Sequence, residues 1–492
     1  MSQPTVLIVG AGIGGLSTAI HLARNNYQVT VIEKNAFVGG RCGQIVKDGH
    51  YFDIGPTFLV FPEIYKQMFA SFGEKLSDYL ELLRVDPAQQ ICFDDNTKLF
   101  CTSNRKFLAS QLEEFEPGSS QGFSRFMKAA QVFHRLSVEK IISQDFQNFS
   151  DYFNVSNLLP LLKSGALENH HLFIKRFFKN PKLQAAFSFH DTYIGLNPYT
   201  SPAVFSMFPY SEFTHGVWLP RGGMKQVTEA LVTIAKKNGV VFKLNCPVHH
   251  LVTDQSKVIK VVTSAGCELT ADVIVANADL PYVYSNLLPS SNYSQRLKSN
   301  KYACSTITFF WGLKNVYPQL STHNLFLAQN FKNSYDQVVN QHLVPQSPHF
   351  YVHAPTRTDI NMAPIGQDTI TVIVPVGHMT DSSSLSWSQE TEKIRKFVIR
   401  RLEKFGLKNI TQNIKFEKII SPPQWQDQFN LSKGTTLGLH HNLSQMGYLR
   451  PHRQHSRFKN LYFVGSNTHP GSGVPTVMLS ALFTASQIFK TN

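Results

Sequence analysis

Thr5–Val9 is an unbroken run of β-branched and other apolar residues, the pattern of a strand buried on both faces of a parallel sheet. Residues 16–24 change period, with Leu16, Ile20 and Ala23 on one helical face. Residues 29–32 read as a second strand that ends at Glu33. Between the first strand and the helix lies Gly10-Ala11-Gly12-Ile13-Gly14-Gly15. Gly10 permits a tight turn out of the strand, Gly12 lets backbone approach a pyrophosphate, and Gly15 lets helix and strand pack closely. The helix N-terminus then offers phosphate free N–H groups and a partial positive charge. Glu33 stands where a carboxylate accepts hydrogen bonds from both ribose hydroxyls. It would repel a 2′-phosphate, which argues against NADP. The unit predicts a dinucleotide site.

The far end of the chain repeats this pattern. Residues 460–464 run as an apolar strand into Gly465-Ser466, a Gly/Pro loop follows, and residues 477–489 read as a helix. Pro475, after Val474, is a favoured first-turn residue. Between the two ends the pattern is mixed. Residues 103–215 look mostly helical and predict a lid. Within them, residues 172–182 would place Phe173, Ile174, Phe177 and Phe178 on one helical face, flanked by Lys175, Arg176 and Lys179. That composition suits a membrane-interfacial segment or an ordinary amphipathic helix. Gly222-Gly223-Met224 turns the chain into a helix running to Ala235. Strands are expected at 239–244, at Val261-Val262 and at 271–276, the last leading into Asn277-Ala278-Asp279. Residues 290–420 alternate strands (305–311, 369–376) with a helix (390–405), predicting a second sheet. The fold class is therefore α/β. A Rossmann-like dinucleotide domain is expected from 1–72, 216–289 and 455–492. A substrate domain with a mixed sheet is expected from 73–102 and 290–454, and a helical lid or membrane-contact subdomain from 103–215.

Composition narrows the picture. With 42% hydrophobic and 16% charged residues the chain is not disordered, and 492 residues call for more than one core. The 38 Phe residues suit core packing or an apolar tunnel for a hydrocarbon. The net charge of +14 suits an anionic membrane surface. No Lys/Arg block or nucleic-acid motif is present, so no nucleic acid is expected. Six cysteines without a CxxC pair read as reduced thiols of a cytosolic-type compartment, and no metal site is expected. No apolar run is long enough to span a bilayer. His190 and His215 are candidate catalytic groups, but lone histidines are commonly structural, and no catalytic residue is assigned.

The segment after Glu33 narrows the cofactor. Residues 34–41 read KNAFVGGR, so Gly39 and Gly40 let the chain pass close to a ligand and Arg41 can face phosphate. Phe52-Asp53-Ile54-Gly55-Pro56-Thr57 follows. GxGxxG, an acid, GGR and FDxGPT together resemble the flavin amine oxidase and phytoene desaturase superfamily, and FDxGPT resembles its carotenoid branch. Residues 187–190, 195–198 and 216–224 resemble the central block of bacterial carotenoid desaturases. Residues 460–475, NLYFVGSNTHPGSGVP, resemble the family's C-terminal signature, with Ser466-Asn467 for a common Ala-Gly and Thr476 for a common Gly.

The resemblance implies an amine-oxidase-like fold with FAD as cofactor. The matching cofactor residues are Gly10, Gly12, Ile13, Gly14, Gly15, Glu33, Lys34, Gly40, Arg41, Gly55, Pro56, Thr57, Val248, Asn277, Gly465, Ser466, Val474 and Pro475. Val248 backbone would meet the adenine. The C-terminal helix would point at the flavin N1–C2=O edge, which gains negative charge when hydride reaches N5. The implied reaction is desaturation of an acyclic polyene such as phytoene or diapophytoene (dehydrosqualene). A hydride leaves an allylic carbon and a proton leaves its neighbour, with reoxidation by oxygen or a quinone. Such a hydrophobic substrate implies a cytoplasmic protein, peripheral on the inner face of a membrane. A carotenoid oxidase or isomerase, or an amine-oxidase-type enzyme acting on an amine or porphyrinogen, remains an alternative. Intact Glu33, the GGR turn and the C-terminal helix opening argue against a non-enzymatic prenyl-binding escort.

Overall fold

The computed structural model describes residues 3–380 and 385–491. One layer is a five-stranded parallel sheet in the order Leu461–Phe463, Val273–Ala276, Thr5–Val9, Gln28–Ile32, Val241–Lys243. Its central strand is apolar on both faces because both faces are covered. Val6 and Ile8 share a core with Leu16 and Ile20 of the helix Ile13–Ala23 and Met478 of the helix Val474–Thr491. Leu7 and Val9 share another with Leu251 and Val261, from a three-stranded antiparallel sheet. The first and last strands of the chain thus lie in one sheet, both next to Val273–Ala276.

A second sheet has seven strands, in the order Ile414–Ile420, Ser305–Leu313, Asp368–Val376, Phe350–His353, His323–Phe326, Gln89–Cys92, Lys98–Cys101. One pairing is parallel, His323–Phe326 with Gln89–Cys92, so the sheet is mixed. Ile394, Val398 and Leu402 of the helix Trp387–Phe405 share its core. The helices Arg105–Phe115, Ser119–Ser137, Val155–Lys163, Pro181–Ser188 and Met207–His215 make up most of the intervening layer. Many of the phenylalanines pack there, as where Phe178 stacks on Phe187 at 4.6 Å.

The segment 172–182, read as one amphipathic helix, is not a continuous helix. A short helix, His170–Ile174, ends before a turn, and Asn180 caps a new helix, Pro181–Ser188. Pro181 disfavours helical geometry at the residue before it, which separates the two. Phe173, Ile174 and Phe178 are buried in the core, with Phe173 against Phe133 at 5.0 Å. Lys175, Arg176 and Lys179 are exposed, and Arg176 pairs with Glu168.

Asp53, at the end of the strand His50–Asp53, joins that strand to the turn at 222–224. It is 2% exposed, and its Oδ2 accepts from the Met224 N–H at 2.8 Å. Gly223, at φ 89°, sits so close that a Cβ there would lie 2.7 Å from Asp53 Oδ2. Burial pushes the Asp53 carboxyl up to about 7, against the opposing pull of the Met224 and Lys225 N–H groups. An unfolded carboxyl titrates near about 3.9. The native state therefore holds an extra proton between those values, and stability falls as pH rises through that window. Asp53→Asn is expected to flatten this dependence, read as denaturant midpoints at about pH 5 and about pH 7.5. The same pH slope in both proteins would contradict the assignment.

Candidate functional site

The strand Thr5–Val9 ends at Gly10, whose φ of 103° gives the tight turn. A Cβ on Gly15 would lie 2.2 Å from the Gly10 carbonyl oxygen, so helix and turn touch as the glycine spacing requires. The helix Ile13–Ala23 has no side-chain cap at Gly12, which leaves its first N–H groups for a ligand. Glu33 is 6% exposed; its Oε2 accepts from the Ala11 N–H and its Oε1 from the Asn35 N–H, each at 2.9 Å. These bonds, with a second one to Oε1 from Asn35 Nδ2 at 2.9 Å, fix the carboxylate at the cavity rim, and Oε2 retains accepting capacity.

Lys34 lines the same cavity, but its ammonium donates to the Asp427 carbonyl at 2.7 Å and to Asn430 Oδ1 at 2.8 Å. It tethers the helix Pro422–Phe429 to the dinucleotide turn. Gly39 donates to the Ala11 carbonyl at 2.7 Å, drawing the GGR turn against the first glycine loop. The Arg41 guanidinium then reaches across to the Thr436 carbonyl and to Ser466 Oγ, 3.2 Å away. Burial lowers its pKa, and the negative charge of Asp279 opposes that shift.

The C-terminal departures from the resembled motif have defined partners. Ser466 accepts from Arg41. Asn467 Nδ2 donates to Asp279 Oδ1 at 2.6 Å, and its Oδ1 accepts from the Leu439 N–H at 2.8 Å. Thr476 Oγ1 donates to the Ser472 carbonyl at 2.9 Å, within the helix start. Arg450, 2% exposed, donates to the carbonyls of Leu439, His440, Gln445 and Ser466 at 2.7–3.2 Å. Burial pushes it down to about 9. It pins this loop, and no local sequence signal marks it.

One cavity of about 590 Å³ runs through the site. All of the expected cofactor residues except Gly15 line it, from Gly10 through Val248 and Asn277 to Gly465 and Pro475. Gly15 lies behind the turn in its packing role. The residues fit a flavin dinucleotide: an uncapped helix start, a fixed carboxylate, and the buried Asn277 Oδ1, which has no hydrogen-bond partner among the described residues. The cavity continues between apolar lid and sheet side chains, including Phe58, Phe61, Ile141, Leu161, Phe189 and Phe208. Its acidic lining residues are Glu33 and Asp279, both on the glycine-turn side.

Sequence reasoning missed a polar cluster beside the cavity. Tyr193 OH donates to Glu212 Oε1 at 2.8 Å and Gln89 Nε2 to Glu212 Oε2 at 3.1 Å, while His190 Nε2 lies 3.1 Å from Glu212 Oε2. Tyr193 and Gln89 line the cavity and His190 does not. These residues are scattered along the chain, so spacing carries no hint of the cluster. His215 also lies off the cavity lining. Ser206 Oγ, His170 and Asp191 form a hydrogen-bonded chain with contacts of 2.9 Å. All three are fully buried, so it holds the lid together and no substrate reaches the hydroxyl.

Comparisons with known proteins agree with this geometry. The family model "Flavin containing amine oxidoreductase" matches residues 13–489. A zeta-carotene-forming phytoene desaturase of Myxococcus xanthus is 36% identical, over 97% of this chain and 92% of its own length. A phytoene desaturase of Phycomyces blakesleeanus is 38% identical, over 98% of this chain and 85% of its own length. The fold is also that of a putrescine oxidase variant, with TM-score 0.64 at 15% identity, covering 100% of this chain and 99% of that one. The chain belongs to the flavin containing amine oxidoreductase family and is an FAD-dependent oxidoreductase.

Proposed function

We propose that this flavoprotein desaturates a long acyclic polyene of the phytoene or diapophytoene class, in carotenoid biosynthesis. The observation that carries this reading is the cavity. It joins a dinucleotide turn to an apolar lid, and its carboxylates stay at the dinucleotide end. A hydrocarbon loses nothing on entering such a space, whereas a protonated amine would be buried there without a counter-charge. The relatives reported above bear the names of enzymes acting on such hydrocarbons.

In this reading Glu33 holds the ribose, the start of the helix Ile13–Ala23 holds the pyrophosphate, and Val248 backbone meets the adenine. Gly40, Arg41, Gly55, Pro56 and Thr57 form the near wall of the flavin, and Gly465, Ser466, Val474 and Pro475 the far wall. Lys34 acts through the clamp it makes. FAD, when bound, accepts hydride from carbon, and oxygen or a quinone reoxidises it. The lid side chains exclude water and hold the polyene extended. The division into 1–72, 216–289 and 455–492 for flavin, 73–102 and 290–454 for substrate, and 103–215 for the lid follows from the same reading.

The substrate resides in a bilayer, so the protein docks on one. No helix of the described residues is long and apolar enough to cross a membrane. The helix Val155–Lys163 suits docking instead. Leu161 is 6% exposed and lines the cavity, while Val155, Leu159 and Leu162 are 74%, 42% and 63% exposed. One helix therefore has the cavity on its inner face and a bare apolar outer face, the arrangement of an interfacial element. The protein's positive charge favours an anionic surface.

Three outcomes test this reading. Glu33→Ala is expected to weaken FAD binding roughly 10- to 100-fold, the loss of hydrogen bonds to a charged acceptor. Unchanged flavin content after gel filtration would count against the ribose assignment. Leu159→Gln with Leu162→Gln should lower co-sedimentation with anionic liposomes about tenfold or more while leaving flavin content intact. Equal sedimentation would remove this helix as the docking face. Expression in a bacterium that accumulates phytoene or dehydrosqualene should yield more conjugated, coloured products on pigment separation. Unaltered precursors would refute the substrate class.

A further inference from the structure

Three helices that wall the cavity meet again on its outer side. Glu63 lies in the first turn of Pro62–Ser71, His134 in the last turn of Ser119–Ser137, and His215 at the end of Met207–His215. One ligand atom from each lies within 4.8 Å of the other two. None of the three lines the cavity, although Phe61, Ile64 and Phe208 beside them do. The cluster is therefore separate from the flavin and substrate site.

Both carboxylate oxygens of Glu63 and Nε2 of His134 are buried and without hydrogen-bond partners among the described residues. His134 Nε2 stands 3.7 Å from Glu63 Oε1, an ion-pair distance beyond hydrogen-bond reach. Buried polar atoms ordinarily have partners, so this arrangement asks for one. The His134 ring is held by Phe61 at 5.7 Å and Tyr210 at 5.1 Å, with His215 at 5.3 Å. One carboxylate with two imidazoles is the ligand chemistry of a first-row divalent cation. Zinc bonds of about 2.0–2.2 Å bring such ligand atoms within about 3.5 Å of one another, so shifts of about an ångström would close the cluster.

We propose that Glu63, His134 and His215 form a binding site for a divalent transition-metal cation of the zinc class. Each ligand comes from a different helix, so the ion would clamp Pro62–Ser71 to the two lid helices and fix the cavity wall between them. Three protein ligands leave a fourth position for water.

Untagged, flavin-loaded protein is stripped with EDTA and titrated with zinc chloride in a calorimeter, with magnesium chloride as the control. The expected result is one zinc per chain, no magnesium uptake, and a higher melting temperature with zinc. Glu63→Gln, nearly isosteric, and the double variant His134→Gln with His215→Gln should each lose tenfold or more in zinc affinity. Flavin content and circular dichroism report whether each variant is folded. Wild-type protein that takes up no zinc at that stoichiometry overturns the proposal. So do folded variants that bind zinc as tightly as wild type.

Discussion

Asn277 holds the two ends of the chain against each other. Its N–H donates to the Val9 carbonyl at 2.8 Å, which closes the first strand's turn. Its Nδ2 donates to the Val464 carbonyl at 3.1 Å, at the end of the last strand. Its side chain fills the space that a Cβ on Gly12 or Gly14 would enter, at 2.9 and 2.6 Å. The glycines are thus constrained from behind by Asn277. Arg41 adds a further tie between the two ends, and Asp279 ties the Asn277 turn to Asn467 of the C-terminal loop. The cavity exists because the two turns are held this way, and each presents a helix start to it.

The rest of the molecule adds an apolar space to that polar cleft. The mixed sheet and the lid helices supply its walls, and their polar groups are largely tied to one another. Glu212 pairs with Tyr193 and Gln89 in the cavity wall and with His190 behind it. This division of labour suits chemistry in which the cofactor supplies the reactivity and the protein supplies position and dryness. The helix Val155–Lys163 extends the logic to the surface, since one element serves both the cavity and the docking face.

The legible parts of the fold were those whose signal is local. The strand at Thr5–Val9, the glycine turn, Glu33 and the C-terminal strand–loop–helix each carry their physics within a few residues. The helix at Trp387–Phe405 and the strand at Asp368–Val376 were likewise read from periodicity alone. What escaped was non-local or decided by tertiary competition. Residues 172–182 have an amphipathic composition, but Pro181 interrupts the helix and the aromatic core claims Phe173 and Phe178. The outward face of Val155–Lys163 could not be told from a core face without knowing which side the cavity occupies. Arg450 bonds to carbonyls of its own loop region, where no motif marks it, and the Glu63–His134–His215 cluster joins residues from distant parts of the chain.

The most direct test is whether a polyene inside this cavity gives its electrons to the flavin held by the two turns. Purified protein, kept anaerobic, is mixed with liposomes carrying phytoene or dehydrosqualene while the visible absorbance of oxidised flavin is followed. The account predicts loss of that absorbance as the polyene gains conjugation, with no change for empty liposomes. Flavin that dithionite reduces but neither hydrocarbon does would contradict it.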